Sequence, residues 1–547
     1  MLRLLCTLIL ALGGAAACGK VDHAEGGDGS PGDGDGAPPG LQTLTVTVDG
    51  EGSVTSEPAG IDCPGSCSAN FADGSQVVLS PIPSSSSQLA GWTGDCTGFD
   101  VPCSVTMDAG RSVDARFGLH GSHRWVDQIG STGQDFISND VVVDPDGNPI
   151  IAGEMEQDGG GWNIYVAKFD KVTGTMVWDN LIETAASEYF GGLAVDADGN
   201  AYAAMSFNGF EPETIAGVEV TPDLYGNIVV VRLAAADGEI EWVKQWGGDG
   251  QDRPHALAVG GANLYVAGET SSSSADFDGT VVPGSIGDAF IVKARLDNGN
   301  AVRVKHLDGD YELYSIAAID TRVAVAGSFR VADTIDAGCS ISLNGANATD
   351  GLVADFRVSD LDCQWAQDFG DLDADMDAFA FGVAAFPGGG WVATGGFEGD
   401  VLFAESGSAL SSHGAADVFA VRYAANGDHV WSFRYGDTGS DVGTSIAATP
   451  DGYTLFTGAF NSPTITFGGF ELEGNNDVFV TRMTPGVAPS HEWAVALGGD
   501  DTDRAEGLAV DPTGYVYVLA YFQGMTNVDG ENMTAMVYDA WLAGLVR

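Results

Sequence analysis

One period governs this chain. From Trp125 onward a marker residue returns at Trp125, Trp178, Trp242, Arg303, Trp365, Trp431 and Trp493, in steps of 53, 64, 61, 62, 66 and 62 residues. Self-similarity at such a spacing marks a repeat architecture, in which one supersecondary unit buries its faces only against its neighbours. In the third period four segments have strand character: EWVKQW, RPHALAVGG, NLYVAGET and DAFIVKARL. Each is rich in β-branched and aromatic residues and is bounded by Gly, Asp or Asn. The turns DPDGN at Asp144–Asn148, DADGN at Asp196–Asn200 and DPTGY at Asp511–Tyr515 put residues that tolerate φ > 0 where tight hairpins need them. No segment sustains the i, i+3, i+4, i+7 apolar spacing of a helix.

Four antiparallel strands per period make one blade of a β-propeller, and propellers close with four to eight blades, so seven periods suit a ring. An open solenoid would need polar capping repeats, which the sequence lacks. GGDGQD at Gly247–Asp252, LAVD at Leu193–Asp196 and at Leu508–Asp511, and DAFIVK at Asp288–Lys293 resemble the bacterial seven-bladed β-propeller repeats called SBBP, over residues 120–547. The resemblance implies an all-β disc and leaves the ligand open, because one fold hosts many functions. The Trp strand follows the DAF-type strand through a short turn, as in LAAADGEIEW at Leu233–Trp242, so the two form an outer hairpin. The repeat region nevertheless starts on a Trp strand, His123–Ile129, and stops on a DAF-type strand, Asp539–Val546. Closure is therefore expected to place His123–Ile129 beside Asp539–Val546 in the last blade.

Residues 1–18 read as a secretory signal, with Arg3, an apolar run from Leu4 to Leu12 and small residues before Cys18. Ala15-Ala16-Ala17-Cys18 resembles the lipobox of bacterial lipoproteins, which implies lipidation of Cys18. An ordinary signal cut at A-x-A, with Cys18 an incidental thiol, is the alternative. Gly19 is not the Asp that retains many lipoproteins at the inner membrane, so the resemblance implies an outer-membrane anchor. Residues 19–40 form a tether whose core, GGDGSPGDGDGAPPG, has no means of building an apolar interior.

Residues 41–118 lack the long period. LTVTVDGEGSV, QVVLSPIP and SVDARF alternate as strands, and LAGWTGDCTG with CSVTMDAGRSVDARF resembles bacterial modules related to the internalin B-repeat. Trp92 is expected in a small core reinforced by disulfides. A spacer is the favoured role, with a protein- or sugar-contact module as the alternative. Beyond Cys6 and Cys18, six cysteines fall as Cys63/Cys67, Cys96/Cys103 and Cys339/Cys363, and local pairing is expected in an exported protein. Cys339 and Cys363 flank the outer hairpin of their blade, within the reach of a bridge. Zinc fits the spacing poorly and has no nearby His.

Twenty-two Lys+Arg against 77 Asp+Glu give a net charge of −55, which repels phosphate backbones and excludes nucleic acid as a partner. The eight His are scattered, and the H-E-x-x-H, G-x-S-x-G and phosphate-loop motifs are absent. The Asp-box of sialidases is absent too. KFDKVTGTMVW at Lys168–Trp178 resembles an element of quinoprotein propellers that builds blades rather than binding the cofactor. GDLDADMDAF sets Asp371, Asp373, Asp375 and Asp377 at alternate positions, as in Ca²⁺ loops, but lacks the Gly and terminal Glu such loops use. The simpler reading has these carboxylates bonding local amides to set a turn.

The expectation that follows is a non-enzymatic, lipid-anchored envelope protein whose disc binds an extracellular protein or glycan through loops on a rigid frame. No catalytic residue and no firm cofactor is assigned; calcium at Asp371–Asp377 is the one candidate. The rivals are a polysaccharide hydrolase or lyase, which needs two carboxylates from different blades over a central funnel, and a purely structural component.

Overall fold

The computed structural model describes residues 40–547 except 85, 99–101, 131–134, 157–160, 185–186, 210, 222–225, 331–332, 337–338, 342–348, 371–375, 405–408, 475, 500 and 536. Cys6, Cys18, the tether before residue 40, and Asp371, Asp373 and Asp375 therefore lie outside the described residues. The described chain is all-β, without a helix.

Residues 41–119 fold into two four-stranded sheets. One runs in the order Ser68–Ala72, Leu41–Asp49, Arg111–Leu119, Ser87–Gly94, and the other Asp62–Cys63, Gly52–Glu57, Gln76–Pro83, Cys103–Thr106. Trp92, 1% exposed, sits in their shared core with Leu44, Val54 and Val113. Cys63–Cys67 and Cys96–Cys103 bridge this module, and Cys339–Cys363 joins a short hairpin strand to an outer strand at a Cα separation of 6.2 Å.

From residue 123 on, seven antiparallel sheets follow one four-strand plan, numbered I to VII here, the sixth extended by Met525–Val528 and Glu531–Thr534. Sheet III is typical: Asp252–Gly260, Asn263–Thr270, Asp288–Arg295, Ala301–Leu307. The first strands of sheets I to VII are Asp135–Val143, Ser187–Val195, Asp252–Gly260, Tyr311–Ala318, Ala378–Ala385, Asp441–Ala448 and Asp503–Val510. Each touches the first strand of the next sheet, and that of VII touches that of I. In sheet VII the fourth strand is His123–Ile129, paired with Asp539–Leu545 so that Trp125 faces Gly544. Sequence inspection had not anticipated the short hairpins inserted between second and third strands, such as Ala275–Phe277 with Thr280–Val282.

The Asp-Gly turns work as their residues require. Asp144, Asp196 and Asp511 each accept local backbone N–H groups, including Asn148 N at 2.8 Å, Asn200 N at 2.9 Å and Tyr515 N at 3.0 Å. Gly147, Gly199 and Gly514 take φ of +90°, +84° and +95°. The carboxylates there set turns.

The marker Trp joins neighbouring sheets. The indole N–H of Trp125, Trp178, Trp242 and Trp365 donates to Lys171 O, Ala235 O, Leu296 O and Ala425 O, at 3.1, 3.2, 3.1 and 3.2 Å. Each acceptor lies in the outer turn of the following sheet. In those turns Gly174, Gly238, Gly299 and Gly427 have φ between +69° and +87°, and a Cβ on any of them would strike the incoming Trp ring within 2.8 Å. Where the marker is Arg303, the corresponding turn residue is Leu361, buried at φ +59°. Trp493 packs on Gly121, φ +78°, in the segment that leads into His123–Ile129.

The module of residues 41–119 docks at the end of sheets I and VII that carries these turns. Tyr515 Oη donates to Leu89 O at 3.1 Å, Arg547 Nε to Gln88 Oε1 at 2.8 Å, and Arg124 stacks 4.2 Å above the Tyr515 ring. Val546 N donates to Ser122 O at 2.8 Å, and Gly121 N donates to Val546 O at 2.9 Å. The module thus contacts sheet VII directly through Leu89 and Gln88.

Gly238→Ala is expected to lower stability by more than about 2 kcal/mol, since it forces an L-residue to positive φ against Trp178. Trp178→Phe, which keeps the ring packing and loses the N–H bond, should cost about 1 kcal/mol. Urea unfolding of both variants checks the order.

Candidate functional site

The first strands of sheets II to VII all carry a β-bulge at one level, skipping Gly191, His255, Tyr314, Phe381, Thr444 and Glu506. A bulge leaves one residue unpaired and re-aims its side chain. All six line a central cavity of about 480 Å³. Its wall is therefore built by one repeated irregularity, filled differently in each sheet.

One position further on, the sheets lock together. Asp140 Oδ2, Ser315 Oγ and Ser445 Oγ accept Leu193 N, Val383 N and Leu508 N of the following sheet, at 3.4, 3.2 and 3.2 Å. The equivalent residues Gly192, Gly382 and Gly507 have no side chain, and a Cβ there would meet Leu257 N, Ile446 N and Val141 N within 3.2 Å. Polar side chains and glycines thus occupy six of the seven seams, and Ala256 of sheet III the seventh. Much of the cavity wall at this depth is small or apolar, including Leu193, Ala256 and Val383.

The charged groups concentrate toward the end where the first strands begin, opposite the docked module. Arg504 pairs with Glu506 at 3.2 Å, Arg330 with Glu312 at 3.1 Å, and His255 Nε2 lies 3.8 Å from Glu269. Tyr314 donates to Glu312. Phe379 and Phe381 stack with centroids 5.7 Å apart, and Tyr314 continues the run 5.0 Å from Phe381. A second cavity of about 460 Å³ opens here between sheets V, VI and VII, and shares Phe381 and Arg504 with the first.

Asp140 and Glu506, from the first and last sheets, line the same central cavity. Burial holds both above the usual carboxylate range, Asp140 at about 7, while Arg504 partly offsets the effect at Glu506. Both Asp140 oxygens are engaged, Oδ1 by Val141 N at 2.8 Å and Oδ2 by Leu193 N. Glu154, 6% exposed and pushed up to about 7 by burial, accepts Phe190 N at 2.8 Å across the same seam.

Of the calcium candidates only Asp377 is described; it accepts Thr349 N at 2.9 Å and lies on the rim of the second cavity. No group of three or more metal-ligating side chains occurs among the described residues. Sequence reading missed the bulge residues, because one period shows no anomaly at His255 or Phe381; only their shared level in the sheets reveals them.

Residues 42–120 match the family model of the divergent InlB B-repeat domain. No curated protein matches the chain. Solved structures similar to it include the mitotic checkpoint complex (TM-score 0.44, 12% identity, covering 78% of this chain and 93% of that one). The Dos1 propeller is similar at TM-score 0.39 and 11% identity over 78% and 95% of the two chains. A protein of unknown function from Dyadobacter fermentans is similar at TM-score 0.36 and 12% identity over 77% and 98%.

A carboxyl whose folded pKa is raised stabilises only while protonated, so that contribution is lost as pH rises through the folded value. Glu154→Gln keeps an acceptor for Phe190 N and does not ionise. The variant should match the wild type near pH 4.5 and exceed its stability by about 2–3 kcal/mol at pH 8, as read by denaturation across that range.

Proposed function

We propose that this protein is a non-enzymatic, lipid-anchored component of the bacterial outer envelope, whose seven sheets are the blades of a propeller closed by His123–Ile129 and whose channel mouth binds an extracellular protein or glycan. The observation that carries the reading is the contiguity of the two cavities at one end of the sheets. Stacked aromatic rings and paired charges from several sheets meet there on a rigid frame, at the end opposite the docked module. Concave sites of a few hundred Å³ with an apolar lining and a few polar groups are the usual form of ligand sites.

The second reading, a polysaccharide hydrolase or lyase, draws on Asp140 and Glu506 in one cavity with raised pKa. Raised carboxyls in a cleft are a mark of general acids. Against it, Asp140 already accepts two backbone N–H groups and Glu506 is paired with Arg504.

Arrays of glycans and envelope proteins probed with the full chain should yield a ligand whose affinity falls roughly tenfold with Phe381→Ala. Reducing-end release from a polysaccharide panel, abolished by Glu506→Gln, would instead establish the enzyme. Cys18→Ser should move the chain from the membrane to the soluble fraction.

A further inference from the structure

We propose that the cleft between sheets V, VI and VII takes one large apolar side chain from a basic segment of a partner protein. The inference rests on the reading of the channel mouth as a binding face and names what that face recognises.

The cleft arises from a lapse in side-chain size. At the level two residues before the bulge, opposite pairs on first and second strands are Tyr189/Ser206, Arg253/Glu269, Glu312/Ser328 and Arg504/Tyr521 in sheets II, III, IV and VII. Sheet V has Phe379/Gly396 and sheet VI has Val442/Ala459. Gly396 lets the chains close, since a Cβ there would sit 3.3 Å from Val442. The small pair of sheet VI becomes a floor, walled by Phe379 and Phe381 on one side and by Arg504 and Tyr521 on the other, around about 460 Å³.

The chemistry of that space selects its occupant. Val442 and Ala459 offer no hydrogen-bonding side chain at the floor, while Ser440, Asn461, Asn476 and Thr502 lie elsewhere on the lining, so a sugar ring seated on that floor would strand the hydroxyls that face it. Each stranded hydroxyl costs on the order of 1–3 kcal/mol. An aromatic or long aliphatic side chain incurs no such loss and gains two stacked rings as its wall. The rim sets the neighbours. Asp377 and Glu398 stand on the sheet V side, and Arg504, the one cation among the lining residues, is already paired with Glu506 at 3.2 Å. The uncompensated charge at the rim is negative, as it is over the whole chain at −55. A basic segment is attracted to such a rim and an acidic one repelled.

The test pans a random peptide display library on the full-length chain in detergent, with counter-selection on Val442→Trp, which fills the cleft. Enriched sequences should pair one aromatic or large aliphatic residue with flanking Lys or Arg. Replacing that apolar residue by Ala in a synthetic peptide should weaken binding roughly tenfold or more. Glu398→Gln should weaken it several-fold at low salt and flatten its salt dependence. Ala459→Phe fills the same floor from the neighbouring strand and must reproduce the loss, so a misfolded Val442→Trp does not decide the outcome. Enrichment without an apolar anchor, or indifference to both filling variants, overturns the inference. Neutral oligosaccharides that bind and are displaced by the filling variants also overturn it, but leave the proposed binding function standing. Absence of binding by both peptides and glycans fails both.

Discussion

The ring depends on a contact between sheets rather than within them. A β-sheet satisfies its own backbone, but nothing in that ladder tells one sheet where to stand against the next. Here the indole of the marker Trp does so. At Trp125, Trp178, Trp242 and Trp365 the flat ring lies on a glycine in the outer turn of the following sheet, and the N–H reaches a carbonyl of that turn. The glycine must be in the left-handed region and without a Cβ, so two constraints act on one position. Where Arg303 replaces the Trp, Leu361 takes the glycine's place and is itself buried.

The same contact explains how two distant chain segments behave as one sheet. Trp493 packs on Gly121, which precedes His123–Ile129, while Asp539–Leu545 supplies the neighbouring strand. The outer turn facing Trp493 is thus assembled from both ends of the repeat region, tied by the bonds between Ser122 and Val546. The module of residues 41–119 covers that join through Leu89 and Gln88. Its docking lies at one end of the sheets, and the two cavities open toward the other.

Division of labour along each first strand gives the site its character. Glycines and small polar residues at one level fix the distance between sheets. The bulge residue just before them is released from pairing and varies freely: Gly191, His255, Tyr314, Phe381, Thr444, Glu506. Structural economy and chemical variety therefore sit in adjacent positions of one strand, which is how a repeated frame acquires an asymmetric cavity wall.

Much of this was legible in the residues. The Trp spacing, the D-x-x-G-N turns and the DAF-type strands specify local units, and each is determined by neighbours close in sequence, through alternation, turn chemistry and glycine conformation. The cysteine pairs follow from proximity along the chain in the same way, and the outer hairpin that ties Leu233 to Trp242 points to His123–Ile129 as the fourth strand of sheet VII. What the residues could not reveal is which side chains of different repeats share a cavity. Phe379 and Arg504 are distant in sequence, and Val442 is unremarkable in its strand; their cleft exists because three sheets converge at one level. The docking of Gln88 and Leu89 beneath Tyr515 and Arg547 is equally invisible, since it joins surfaces that carry no shared pattern. Periodicity specifies each sheet because a sheet is local, whereas the cavities depend on how the sheets pack against one another, a long-range arrangement decided only when they meet.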